Sequence, residues 1–306
     1  MKPNLEVFAE TLEELAKNDS HLLIVTSDSR GSGKLKPFGE KFPEKMVEVG
    51  IAEQNLVGVA AGLASMGKNV FAVSPACFLS ARSLEQIKND ICYSDNPVKL
   101  IGISAGVSYG ALGSTHHSLH DIAVLRAINN IDIIIPADDF ETKEAIKAAS
   151  KSIKPLYIRF GKKKMPNLGQ KISPKFEIGK ARIIREGKDI QLIGTGETVW
   201  PCLEAAELLS KEGIEAEVIS MHSIKPFDHS IFKGRKPIIT VEEHMINGGL
   251  GEAVASYLME NKLYVPFKKM GIPDEYTVTG SQVEIFDHYG LNEKGISLEA
   301  IKLIKS

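Results

Sequence analysis

Two doubly wound α/β domains in series are the fold this sequence predicts, and three observations predict it. From Leu22 onward short apolar runs alternate with longer stretches of helical periodicity, the pattern of parallel strands joined by covering helices. Several of the short runs are apolar throughout, as strands buried on both faces must be. A length of 306 residues with 43% hydrophobic content supplies chain and core for about two domains of ordinary size.

Taken in order, the opening MKPNLEVFAETLEELAKND reads as an amphipathic helix. Strands are predicted at 21–28, 45–49, 69–75, 98–104, 131–137 and 155–160, with helices over 53–66, 80–93 and 139–152 between them. These form a first domain, 1–165. The stretch GKKKMPNLGQKISP (161–174) carries four Lys, two Pro and two Gly without apolar periodicity, so an exposed linker is placed at 166–176. A second domain, 177–306, follows with strands at 189–196, 215–221, 237–243 and 264–271 and helices over 199–211, 251–260 and 297–305.

Composition removes several function classes. Thirty-seven basic and 39 acidic residues leave a formal charge of -2, which gives no global field for nucleic acid or an anionic membrane. Three widely spaced cysteines, Cys77, Cys92 and Cys202, form neither a disulfide framework nor a zinc ribbon and point to a reducing, cytoplasmic setting. No apolar run approaches the ~18 residues of a membrane span.

Five segments could carry chemistry. In EVGIAEQNLVGVAAGLASMG (48–67) a strand runs into a helix with Glu53 in its first turn and Gly58 and Gly62 in its interior. Interior glycine costs ~1 kcal/mol against alanine, a cost tolerated where another backbone comes very close. Glu53 is then either a cap in a tightly packed layer or an acid presented to a buried ligand at a subunit interface. GISAGVSYGALGSTHHSLHD (102–121) follows a strand, where open α/β sheets bind ligands. Its His116 and His120 are readable as capping residues, as substrate or proton-transfer groups, or as half of a metal site. Phe78, in the connection after Pro75, is a core residue or a flat face for a heteroaromatic ring. TSDSRGSGKLK (26–36) is a solvated or an anion-binding loop. GGLG in VEEHMINGGLGEAV (241–254) is a turn or a phosphate site at a helix start.

In this order the segments resemble the C-terminal half of transketolase and related thiamine diphosphate enzymes. GIAEQNLVGVAAGLA, the GSTHH loop, IIIPADDFET (133–142) and EEHMINGGLG carry the resemblance, which spans nearly the whole chain. It implies a pyrimidine-binding fold followed by a transketolase C-terminal domain, and transfer of a two-carbon ketol unit from a ketose to an aldose. It places Glu53 against N1′ of the cofactor's aminopyrimidine as the proton-exchanging acid, Phe78 on the pyrimidine face and Asp28 near the cofactor. It matches His116 to a catalytic histidine that bonds to sugar oxygens, and Ser32 and Arg159 to positions that hold a substrate phosphate. The family's GDG, which holds the diphosphate through a metal, is missing. The resemblance therefore implies a split enzyme. This chain binds no metal, a partner subunit with GDG supplies the Mg2+ or Ca2+ site, and two copies of each chain assemble through homodimerisation of this one.

Departures leave the sugar open. The family's GEDGPTH is here GALGSTH (110–116), with Leu112 in place of the hydroxyl-reading acid, and the family's arginine is absent around Glu6 and Val7. A pocket without those partners should not take the standard pentose phosphates in the standard way. Alternative readings are the β subunit of a 2-oxo acid dehydrogenase E1 component, a 1-deoxyxylulose-5-phosphate synthase-like enzyme, a metal-dependent hydrolase at His116 and His120, and a noncatalytic partner subunit.

Overall fold

The computed structural model describes residues 2–169, 172–173 and 175–305 of the chain. Its first sheet has seven strands in the order Ser223–Lys225, Asp132–Ile134, Leu156–Arg159, Lys99–Ile103, Asn69–Pro75, Leu22–Thr26 and Met46–Glu48. All neighbours are parallel except the first pair. The helix Asn4–Ala16 buries Leu5, Phe8 and Leu12 on one side of this sheet, and Glu53–Ser65 buries Leu56, Val57, Ala60 and Ala61 on the other. The second sheet has five strands, ordered Phe267–Ile272, Ile238–Met245, Ile190–Gly194, Ala216–Ser220 and Arg182–Arg185, with the last antiparallel.

The predicted strands all appear, most of them trimmed where they meet a loop; 69–75 is unchanged, 237–243 runs on to Met245 and 264–271 becomes Phe267–Ile272. Among the features not foreseen, four shape the joint and the site. Arg182–Arg185 adds an antiparallel edge, and Ser223–Lys225 leaves the second domain to close the edge of the first sheet. The helix expected over 80–93 is instead Ala76–Arg82, a short turn at Leu84–Gln86, and a widened π turn over Ile87–Tyr93. A helix over Gln282–Tyr289 is started by Ser281 and Glu284, which bond reciprocally to each other's backbone N–H, and is stopped by Gly290 at φ 68°.

The crossing strand ties the two units together. Ile193, Ile219, Met221 and Ile224 share one apolar core with Ile133, Ile135 and Leu125. Buried Arg182 reinforces the joint, donating to Glu141 Oε1 at 2.8 Å and to the Gly169 carbonyl at 2.7 Å. The 166–176 stretch is not wholly solvated. Leu168 is buried and its N–H donates to Asp138 Oδ2 at 3.0 Å; Gln170, Lys171 and Pro174 lie outside the described residues.

Candidate active site

The carboxyl ends of the first sheet's strands gather most of the candidate residues. Glu48, the last residue of its strand, organises two loops there. Its carboxylate accepts from the N–H of Asp28 at 2.7 Å, the N–H of Gly50 at 3.0 Å, Thr26 Oγ1 at 2.7 Å and Arg30 Nε at 3.1 Å. Burial raises the Glu48 pKa, but these donors outweigh it and hold the carboxyl below its ordinary value. Asp28 is exposed, in left-handed backbone at φ 52°, and Ser32 Oγ donates to the Ser29 carbonyl at 3.3 Å. Both therefore sit on one loop, joined to the Gly50–Glu53 turn through Glu48.

Glu53 opens its helix and is 3% exposed, yet it borders a cleft of about 540 Å³ lined by Ile51, Ala52, Gln54, Asn55 and Arg82. A carboxylate at a helix N-terminus is favoured by the helix dipole. Arg82 Nη1 donates to Glu53 Oε2 at 3.0 Å, and the same guanidinium lies 4.6 Å from the centre of the Phe78 ring. The Phe78 ring meets the His116 ring edge-on at 5.4 Å, and His116 meets Tyr109 at 5.5 Å. Lys162 Nζ stands 3.9 Å from the Tyr109 ring centre. A continuous chain of contacts thus runs from Glu53 through Phe78 to His116, three residues singled out in the sequence. Glu48, Arg82, Tyr109 and Lys162 were missed; their residue types in a strand end, a helix, a loop and a Lys-rich run carried no separate signal.

The loop bearing His116 is shaped by close approaches of the second domain. A Cβ on Gly106 would lie 2.1 Å from Glu243 Cδ, and one on Gly110 would lie 2.7 Å from the Gly280 carbonyl oxygen. His120 Nε2 is 3.3 Å from Ser80 Oγ, and His116 Nδ1 is 3.0 Å from Thr115 Oγ1. The two histidines face different partners. Among the described residues no three His, Cys, Asp or Glu side chains converge as metal ligands.

One expectation needs correction, and one open choice is decided. Arg159 was expected to hold a substrate phosphate, but it is 4% exposed and already engaged. It donates to Asp121 Oδ1 at 2.6 Å, the Glu243 carbonyl at 2.8 Å and the Ser118 carbonyl at 3.4 Å. Asp121 also accepts from Tyr157 Oη at 2.5 Å. Arg159 is a buried tie between the domains, and removing one partner of such a pair costs ~3–5 kcal/mol. The GGLG helix start is likewise filled from within, because Glu242 accepts from the N–H of Leu250 at 2.7 Å and of Gly251 at 2.8 Å. The anion at that helix end is the chain's own carboxylate.

A second acid sits beside this tie. Gln282 Nε2 donates to Glu197 Oε2 at 2.6 Å and to Glu243 Oε1 at 2.7 Å, between two carboxyls that are both buried. Burial first, and then the neighbouring Glu243 charge, push the Glu197 pKa up to about 8 from an ordinary 4.5. The folded chain therefore holds this proton more tightly than the unfolded chain. Its stabilisation is complete below pH 4.5 and is lost as pH rises through about 8. The thermal midpoint should fall as pH rises from about 5 to about 8, and Glu197→Gln should flatten that slope. Calorimetry across this range checks it, and equal slopes in both proteins would refute it.

Comparison with known proteins matches both halves of the chain. The family model described as the transketolase pyrimidine binding domain covers residues 3–167, and that of the transketolase C-terminal domain covers 179–296. One of the subunits of an apulose-4-phosphate transketolase from Phocaeicola vulgatus is 47% identical over 302 residues, covering 97% of this chain and 96% of that protein. A putative transketolase C-terminal section of Methanocaldococcus jannaschii is 38% identical, covering 97% and 95%. A split-gene transketolase solved as an inactive beta4 tetramer superposes with a TM-score of 0.88 at 34% identity, covering 100% of this chain and 99% of that one.

Proposed function

The chain belongs to the transketolase family, and on that premise we propose that it is the pyrimidine-side subunit of a two-chain, thiamine diphosphate-dependent transketolase. The observation that carries this reading is Glu53, a buried carboxylate at the edge of an open cleft and linked by contacts to Phe78 and His116. The residues fit the aminopyrimidine half of that cofactor, offering an acid, an aromatic face and a cleft of about 540 Å³. When bound, the cofactor supplies the electron sink that lets a ketose carbon–carbon bond break and a two-carbon unit pass to an aldose.

Glu53 would hold the exchangeable proton for a nitrogen of the bound aminopyrimidine, and Phe78 would offer a face for its ring to stack on. His116 hydrogen-bonds sugar oxygens. Asp28 lies at the cofactor end of the Glu48-organised loop, and with Arg159 engaged elsewhere the phosphate end falls to Ser32 and its neighbours Arg30 and Lys34. Diphosphate and metal, Mg2+ or Ca2+, belong to a partner chain bearing GDG, since this sequence has none. The names of the relatives, one a transketolase subunit and the other a split-gene enzyme, support that division. Sugar phosphates are the substrate class, and apulose 4-phosphate is the first donor to assay given the 47% identical relative. We place the boundary between the two domains in 166–176 and the protein in the cytoplasm; its three cysteines are free, and among the described residues no helix is long and apolar enough to cross a membrane.

Homodimerisation is read from the Glu53 helix itself. Nothing lies within 4 Å of where a Cβ on Gly58 or Gly62 would stand, so no part of this chain accounts for glycine there. A second copy's backbone does. Gly62→Leu should raise this helix's own stability, because leucine is the better helix former by about 1 kcal/mol and has open space to enter. The same change should abolish the dimer, as read by sedimentation velocity of the isolated chain. A variant that remains fully dimeric would place the interface elsewhere.

A further inference from the structure

The second domain meets the His116 loop at Glu243 and Met245 and through one short segment, 275–282, which is bonded to the loop at several points. Thr277 is central and 8% exposed. Its Oγ1 is 2.6 Å from His117 Nδ1 and 3.0 Å from Ser114 Oγ, while its N–H donates to Ser114 Oγ at 2.9 Å. His117 Nε2 is 3.0 Å from the Gly110 carbonyl, which can only accept, so Nε2 carries the ring proton. Burial lowers the His117 pKa, and the ring is neutral near pH 7 with Nδ1 as acceptor. The Thr277 hydroxyl must then donate to Nδ1, and the Ser114 hydroxyl donates back to Thr277 Oγ1. Every proton in this ring of contacts then has one acceptor. Gln282 clips the start of the same loop through Glu243, whose Oε1 accepts from the Val107 N–H at 2.9 Å.

We propose that Thr277 is a positioning residue for sugar binding, which sets the orientation of His116 through its bonds to His117 and Ser114. This rests on the functional reading above. It gives the second domain a task in the reaction beyond assembly, because a residue far along the chain fixes the loop that meets the sugar. Among the described residues the hydrogen bonds of Thr277 go to Ser114 and His117 and it does not line the Glu53 cleft, so its effect should reach sugar binding and not cofactor binding.

The test uses the assembled enzyme with thiamine diphosphate, and it compares Thr277→Val, which keeps the shape and removes the hydroxyl, with Thr277→Ser, which keeps the hydroxyl. Valine leaves His117 Nδ1 without its donor and the Ser114 hydroxyl proton without its acceptor, while the backbone N–H of residue 277 still reaches Ser114 Oγ. The KM for the sugar donor should rise about tenfold, with kcat within about threefold and cofactor affinity unchanged. Serine should restore KM to within about twofold of wild type. Ser114→Ala removes the same contact from the loop side and should raise KM in the same direction even if the valine variant folds poorly. A wild-type KM in both Thr277→Val and Ser114→Ala, or a serine variant as defective as valine, overturns the proposal. Absence of ketol transfer by the wild-type assembly would instead overturn the functional reading.

Discussion

Glu53→Gln should lower kcat of the assembled enzyme by ~10²–10⁴-fold, the range expected for loss of a positioned acid–base group. Glutamine keeps the length of the side chain, and its carbonyl oxygen can still accept from Arg82, which now donates to Oε2 at 3.0 Å. The side chain at position 53, which is 3% exposed in the wild type, therefore keeps its packing. What disappears is the ability to exchange a proton with a ring nitrogen in the adjoining cleft. The loss should fall on kcat, with assembly and circular dichroism unchanged. A variant with kcat within about twofold of wild type would remove Glu53 from the chemistry and favour a noncatalytic role for this chain.

The strands were legible because burial on both faces leaves mostly apolar residues between turn signals, as in LLIVT and KLIGI, where only Thr26 and Lys99 at the ends are polar. Glu53 was legible for a related reason: an acid in the first turn of a helix rich in glycine and alanine asks for an explanation in either a cap or a ligand. Arg159 shows the limit. An arginine at a strand end suits a phosphate or a buried ion pair equally, and the partner that decides, Asp121, is 38 positions away in sequence. Glu242 likewise caps Leu250 and Gly251 from eight and nine residues earlier, so GGLG alone left a turn and a phosphate site both open. Ser223–Lys225 could not be assigned to the first sheet, since its pairing with Asp132–Ile134 is a tertiary choice. The helix at Gln282–Tyr289 was a signal left unread, because Ser281, Glu284 and Gly290 mark both of its ends.

The largest effect expected is all or none. This chain offers an acid at a cleft, joined through Arg82 to an aromatic ring and a histidine, and its sequence has no GDG to hold a diphosphate through a metal. Half a cofactor site binds neither end well, since association must overcome a loss of freedom that a few contacts do not offset. The split-gene relative, solved as a beta4 tetramer, is described as inactive. Ketol transfer should therefore be measured with this chain alone, with a GDG-bearing partner chain alone, and with the two mixed, each with thiamine diphosphate, Mg2+, a sugar phosphate donor and an aldose acceptor. Turnover is expected only in the mixture, saturating at equal amounts of the two chains. Turnover by this chain alone, or none in a mixture that does form a complex, would contradict the split-enzyme assignment.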